Sequence, residues 1–182
     1  MLKLLESSPV LAVSVSKVKM HLRIDHSEDD YRIKLLIEAA TTLAEQEIGQ
    51  TLLTKVWKKH CIALPTKDGF GRINLLYPPL KQIISIGEIF NKESIRPVRR
   101  YIVEDEHTTP SILVASKEGR FEVIYQAGFG DKATDVPSPI RQAILAIVAD
   151  LYDRKENCLA ENSTAKILLS PYKINNVLHG CY

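Results

Sequence analysis

The stretch Ala127–Asn157, AGFGDKATDVPSPIRQAILAIVADLYDRKEN, decides how the rest of the chain must be read. A glycine-rich loop runs into Pro137 and Pro139, which stand before or inside the first turn of a helix, where a missing N–H is not needed. Beyond them Ile140, Ala143, Ile144, Ile147, Val148 and Leu151 recur at three- and four-residue steps. That spacing predicts a helix to about Glu156, roughly 30 Å long at about 1.5 Å per residue, with one apolar stripe. A single stripe needs a second element to cover it.

The matching stripe lies near the start of the chain. Ile33, Leu36, Ile37, Ala40, Leu43, Ala44 and Ile48 repeat the same register, while Arg32, Lys34, Glu38, Glu45 and Glu47 are expected outside. Ser27 with Asp30 resembles a capping box, Glu28, Asp29 and Asp30 bring negative charge to the positive helix end, and Gly49 stops the helix. Ser14 is placed to cap a shorter helix over about residues 15–23 that carries Val18 and Leu22 on one face. A last helical turn is expected over Thr164–Leu169, ended by Pro171.

Between Leu52 and Gln126 the texture changes. TKVWKKHCIAL, RINLL, KQIISIGEIF, RRYIVED, SILVA and RFEVIYQ are short β-branched or aromatic runs separated by turn residues, and predict a small antiparallel sheet. Alternation is clearest in RFEVIYQ, with Phe121, Val123 and Tyr125 on one face and Glu122 and Gln126 on the other. The facing of TKVWKKH is undecided by its pattern. The expected class is therefore α+β: a helical core of two long amphipathic helices plus short ones, interrupted by an inserted antiparallel β-sheet domain. The expected parts are a helical 1–50, a β-rich 51–127, a helical 128–170 and a tail, 171–182.

Composition excludes little. The chain has 182 residues, 45% apolar and 25% charged, with a formal charge of +2, too small to argue for nucleic acid by itself. Cys61, Cys158 and Cys181 are unpaired in spacing, so reduced thiols are expected. Glu6 and Pro9 interrupt the opening MLKLLESSPVLAVSV before a signal-type apolar run develops, and AILAIVADLY is too short to span a bilayer, so no export or membrane segment is expected.

Chemistry-bearing patterns are sparse. The histidines His21, His26, His60, His107 and His179 have no metal-ligand spacing, and helix capping accounts for the acids beside His26. The glycines of KDGFGR and AGFGD do not make a phosphate loop and read as turns, and Cys61 lies in a strand with no base partner. No catalytic residue, metal ligand or cofactor is assigned. Basic clusters remain: Lys55, Lys58 and Lys59 around Trp57, and Arg96, Arg99 and Arg100 in IRPVRRY. A solvated strand with edge-protecting lysines accounts for them in one copy, whereas phosphate contact becomes relevant in an assembly.

Taken in order, several segments resemble the tailed-phage head-tail connector, or adaptor, family found in prophages and gene transfer agents. VSVSKVKMHLRID resembles its opening helix and SEDDYRIKLLIEAATTLAEQEIGQTLL its second. LLYPPLKQIISI, FEVIYQAGFGD, VPSPIRQAILAIVADLYDRKEN and ILLSPYKI follow in the family's order. NKESIRPVRRYIVEDEHTTP matches no motif of the family, and the function of that segment stays open.

The resemblance implies a non-enzymatic virion-neck component, formed in the host cytoplasm and assembled as a homo-oligomeric ring of twelve copies on the portal. Its partners are the portal protein and a head-closure (stopper) or tail-completion protein. Tyr172, Lys173, Ile174, Val177 and Leu178, in a tail without a packing period, are the expected portal-binding residues. Lys58, Lys59, Arg96, Arg99 and Arg100 are the candidates for non-specific contact with DNA in the channel. Two alternatives stay open: a small nucleic-acid-binding DNA-packaging factor, which predicts a salt-sensitive complex with free DNA, and another neck or tail-completion protein.

Overall fold

The computed structural model describes residues 1–91, 94–116, 118–153, 159–160 and 163–174. They fall into two units, a helical one from Ser8–Leu53 and residues 130–174, and a β unit from Met1–Ser7 and Thr54–Phe129. The α+β class read from the sequence is what the chain adopts.

In the helical unit, α1 (Val15–Leu22) is capped by Ser14, whose Oγ accepts the Lys17 N–H at 3.3 Å. The long helix α2 (Asp30–Ile48) packs its stripe against α3 (Ser138–Tyr152), and the short α4 (Thr164–Leu169) packs on α3. Ile33, Ile37, Ala40, Ala44 and Ile48 of α2 and Ile140, Ala143, Ile144, Ile147 and Val148 of α3 are all fully buried. Mutual coverage of two amphipathic stripes is thus the core, as their common register requires.

Three local expectations change. Ser27 forms no capping box: its carbonyl accepts the Asp30 N–H at 3.2 Å, and Asp29, the residue at the N-cap, uses its carboxylate to accept the Tyr152 hydroxyl at 2.7 Å. Glu45 faces inward, because its Oε1 accepts the Leu52 N–H at 2.9 Å where the chain reverses after Gly49. A buried amide needs such a partner, and helix periodicity carries no signal for it. Finally, α3 ends at Tyr152, short of Glu156; residues 154–157 of the charged segment DRKEN lie outside the described residues.

Gly49 behaves as expected, left-handed at φ 71° with its N–H on Glu45 C=O. Leu53 and Gly130 form an isolated parallel bridge. Gly130 has no room for a side chain: a Cβ there would lie 2.2 Å from Asp135 Oδ2, and that carboxylate accepts the Lys132 N–H at 2.9 Å to fix the turn leading to α3.

The β unit holds two antiparallel sheets where one was expected. The five-stranded sheet runs β1 (Leu2–Ser7), β2 (Lys55–Ile62), β9 (Arg120–Ala127), β5 (Leu80–Asn91), β6 (Ser94–Pro97). The four-stranded sheet runs β3 (Leu64–Pro65), β4 (Gly71–Asn74), β8 (Ser111–Val114), β7 (Tyr101–Glu104). Their facing residues share one core, with Phe121, Val123 and Tyr125 of β9 against Ile73 of β4, Ile112 and Val114 of β8 and Ile86 of β5. β1 is a second correction. The opening residues, read as part of the helical 1–50, pair with β2 from Leu2↔Lys59 to Ser7↔Lys55.

The Phe121, Val123, Tyr125 face is inward as its alternation predicts. Tyr125 is fully buried, and its hydroxyl donates to the Leu76 carbonyl at 2.9 Å. The undecided strand β2 is settled by register: Trp57, Lys59 and Cys61 lie opposite Tyr125, Val123 and Phe121. Trp57 stacks on Tyr77 with ring centroids 4.9 Å apart. KDGFGR forms the β3–β4 turn, where Thr66 N–H donates to the Phe70 carbonyl at 2.8 Å.

Candidate partner and nucleic-acid surfaces

The period-two geometry of β2 sends the two adjacent candidate lysines to opposite faces of the sheet. Lys58 points outward, where its ammonium pairs with the Glu122 carboxylate and His60 Nε2 approaches the same oxygen at 2.8 Å. These contacts, Lys58 first, hold the Glu122 carboxyl below its usual range despite partial burial. A depressed carboxylate stabilises the fold above its unfolded value near 4.5 and loses that contribution as pH falls through the folded value. Glu122→Gln is therefore expected to flatten the acid limb of the stability-pH curve by about 0.5–1 kcal/mol, read by urea unfolding at pH 7 and below 4.

Lys59 is 5% exposed, and its ammonium donates to the Asn74 carbonyl. Its stem fills a core-facing position between Trp57 and Cys61, so it is not a surface cation. This removes Lys59 as a DNA-channel candidate, and Lys58 is occupied by Glu122.

Arg96, Arg99 and Arg100 have another setting. Arg96 lies on edge strand β6, and the other two follow it before β7; all three are exposed. They rim a groove of about 570 Å³, lined also by Val98, Phe121 and Glu88. None of the three pairs with a described acid, whereas Arg72 on β4 meets Glu104 at 3.1 Å. The groove gathers residues from β5, β6, β9 and the chain after β8, which is why the sequence shows its arginines but not its concavity.

The expected tail begins by binding its own chain. After a 3-10 turn at Ser170–Tyr172, the Tyr172 carbonyl accepts from Gln50 Nε2 and the Ile174 N–H donates to the Ile48 carbonyl at 2.8 Å. Lys173 Nζ lies 2.9 Å from Glu47 Oε1. These three candidate portal residues are thus fastened to the C-terminal end of α2, whose last carbonyls lack partners within the helix. Val177 and Leu178 lie outside the described residues. Glu47, Ile48 and Gln50, the receiving side of this clasp, have no sequence motif, since two of the three contacts involve backbone.

No group of three or more metal-binding side chains occurs among the described residues, and no described helix is long and apolar enough to cross a membrane. The other displaced titrations have structural causes. Threonine hydrogen bonds, from Thr108 first, hold Asp105 well below the carboxylate range; burial raises Tyr125; and the hydrogen bond to Asp29 raises Tyr152.

Residues 12–75 match the model of a family described as Phage gp6-like head-tail connector protein. A search among curated proteins finds no match. Among solved structures, a chain from the neck of an empty gene transfer agent particle, computed with C6 symmetry, superposes with a TM-score of 0.82 at 19% identity, over 99% of this chain and 98% of that one. A chain from the virion of a native gene transfer agent particle gives 0.80 at 20% identity, again over 99% and 98%. The neck of a native particle computed with C12 symmetry gives 0.75 at 20%, with the same coverage. The resemblance read from the sequence holds over residues 12–75, from α1 through β4, and the fold as a whole is similar to that of chains in gene transfer agent particles.

Proposed function

We propose that the chain is a head-tail connector subunit, which forms a ring on the portal vertex and joins the DNA-filled head to the next neck or tail component. The observation that carries this reading is the pairing of a connector-family match with a fold followed over 99% of the chain by a neck protein. In this reading a ring of twelve copies assembles in the host cytoplasm and resides in the virion neck, with a stopper or tail-completion protein on its far side. Its work in this reading is interface geometry, not turnover.

Portal contact in this reading falls on the chain beyond Ile174, including Val177 and Leu178, because Tyr172 to Ile174 are engaged with α2. Of the basic residues considered for DNA, only Arg96, Arg99 and Arg100 are left without an internal partner. The test is to mix the purified chain with the cognate portal and image the product by electron microscopy. An added ring of density on the portal is expected; a portal unchanged at saturating chain concentration overturns the reading.

A further inference from the structure

A head-to-tail ring requires two different surfaces on every subunit that fit one another. We propose that the arginine-rimmed groove of one copy receives the acidic turn before α2 of the next, with Asp25 and Glu28 against the guanidinium groups and Tyr31 on the apolar lining. This inference rests on the connector reading and names a contact within its ring.

The groove side supplies Arg96, Arg99 and Arg100 against a single carboxylate, Glu88. Guanidinium forks bind carboxylates in short, charge-assisted hydrogen bonds, and unpaired ones are available for such a partner. Rim cations alone would suffice for a phosphate backbone, and Glu88 would repel it. A concave site with exposed Pro97 and half-buried Val98 on its apolar wall instead suits a side chain entering between the arginines.

The turn side carries the complementary set. Asp29 and Asp30 are already used, by Tyr152 and by Lys19 at 2.8 Å. Asp25 and Glu28 are exposed and pair with no described residue. The helix dipole explains acids at this position but not their aromatic neighbour: Tyr31 is 74% exposed, in the first turn of α2. An exposed tyrosine beside unpaired acids is the composition of an interface anchor, and arginine and tyrosine are the residues that dominate such contacts.

The full-length chain is tested by sedimentation velocity over a concentration series at low and high salt. Self-association that weakens with salt is expected. Arg96→Glu/Arg99→Glu/Arg100→Glu and, separately, Asp25→Lys/Glu28→Lys should each weaken it by about a hundredfold, and Tyr31→Ala by about tenfold. An equimolar mixture of the two charge-reversed variants should restore it, because each then offers the other a matching pair of surfaces. All substituted side chains are exposed, and circular dichroism melts verify that the variants fold.

A wild type that stays monomeric at millimolar concentration in low salt, variants that associate like wild type, or a mixture without rescue each overturn the contact. A second arm uses a random-sequence duplex of about 20 base pairs. Duplex binding lost in the arginine variant, with self-association intact, assigns the groove to nucleic acid and also overturns the proposal. Rings that form on the portal with both charge-reversed variants would sink this contact while leaving the connector role standing; a portal without rings for wild type would sink the role itself.

Discussion

Phe121→Ala is expected to lower the stability of the β unit by about 3–5 kcal/mol, a large share of the about 5–15 kcal/mol that holds an ordinary domain folded. Phe121 is fully buried at the meeting of the two sheets, so the loss combines the transfer free energy of the ring with a cavity that rigid strands on both sides cannot close. Trp57, the one tryptophan of the chain, lies in this unit and stacks on Tyr77, so its fluorescence reports the transition. A companion, Tyr125→Phe, keeps the ring but leaves the Leu76 carbonyl without its donor, and should cost about 1–3 kcal/mol. Tyr125 also sets an alkaline limit. Burial raises its folded pKa, so its contribution is fully present below the ordinary value near 10 and is lost as pH climbs from there toward the folded value. A change below about 1 kcal/mol for Phe121→Ala would show that the two sheets do not share a core.

Ile144→Ala should lower the stability of the helical unit by about 2–5 kcal/mol. Ile144 lies fully buried in the α3 stripe that covers α2, and urea unfolding followed by circular dichroism at the helical minimum measures the effect. Leu35→Ala on the exposed side of α2, where the leucine is 46% accessible, should stay within about 0.5 kcal/mol. Equal effects at the two positions would contradict the packing of α2 on α3.

What the sequence made legible follows from how each signal arises. The stripes of α2 and α3, the stop at Gly49 and the Ser14 cap are local patterns with strong periodicity, and the structure repeats them nearly residue for residue. Strand β9 was readable from its alternation. Alternation reports facing, however, and not which strand lies alongside, so the division into two sheets was hidden. The opening LKLLES lacks alternation and became a strand only through its pairing with β2. Lys59 departs from the surface position expected of a lysine because its aliphatic stem takes an inward position where the ammonium finds the Asn74 carbonyl. The clasp at Tyr172 and Ile174 was invisible because backbone donors and acceptors are the same in every residue. Among the candidate sites, the arginine triplet was visible as charge, while its concave setting required residues far apart in the chain.

The bridge between Leu53 and Gly130 brings together the two ends of the long segment that runs out to the sheets and back. Within the helical unit, the chain's points of departure and return therefore lie side by side, and a hairpin of a few residues would join them. Because closing a flexible loop costs only about 0.6 kcal/mol more for each doubling of its length, insertions or deletions between these points would perturb the helical unit little. Such an arrangement lets evolution remodel one module for new contacts while the other keeps its packing.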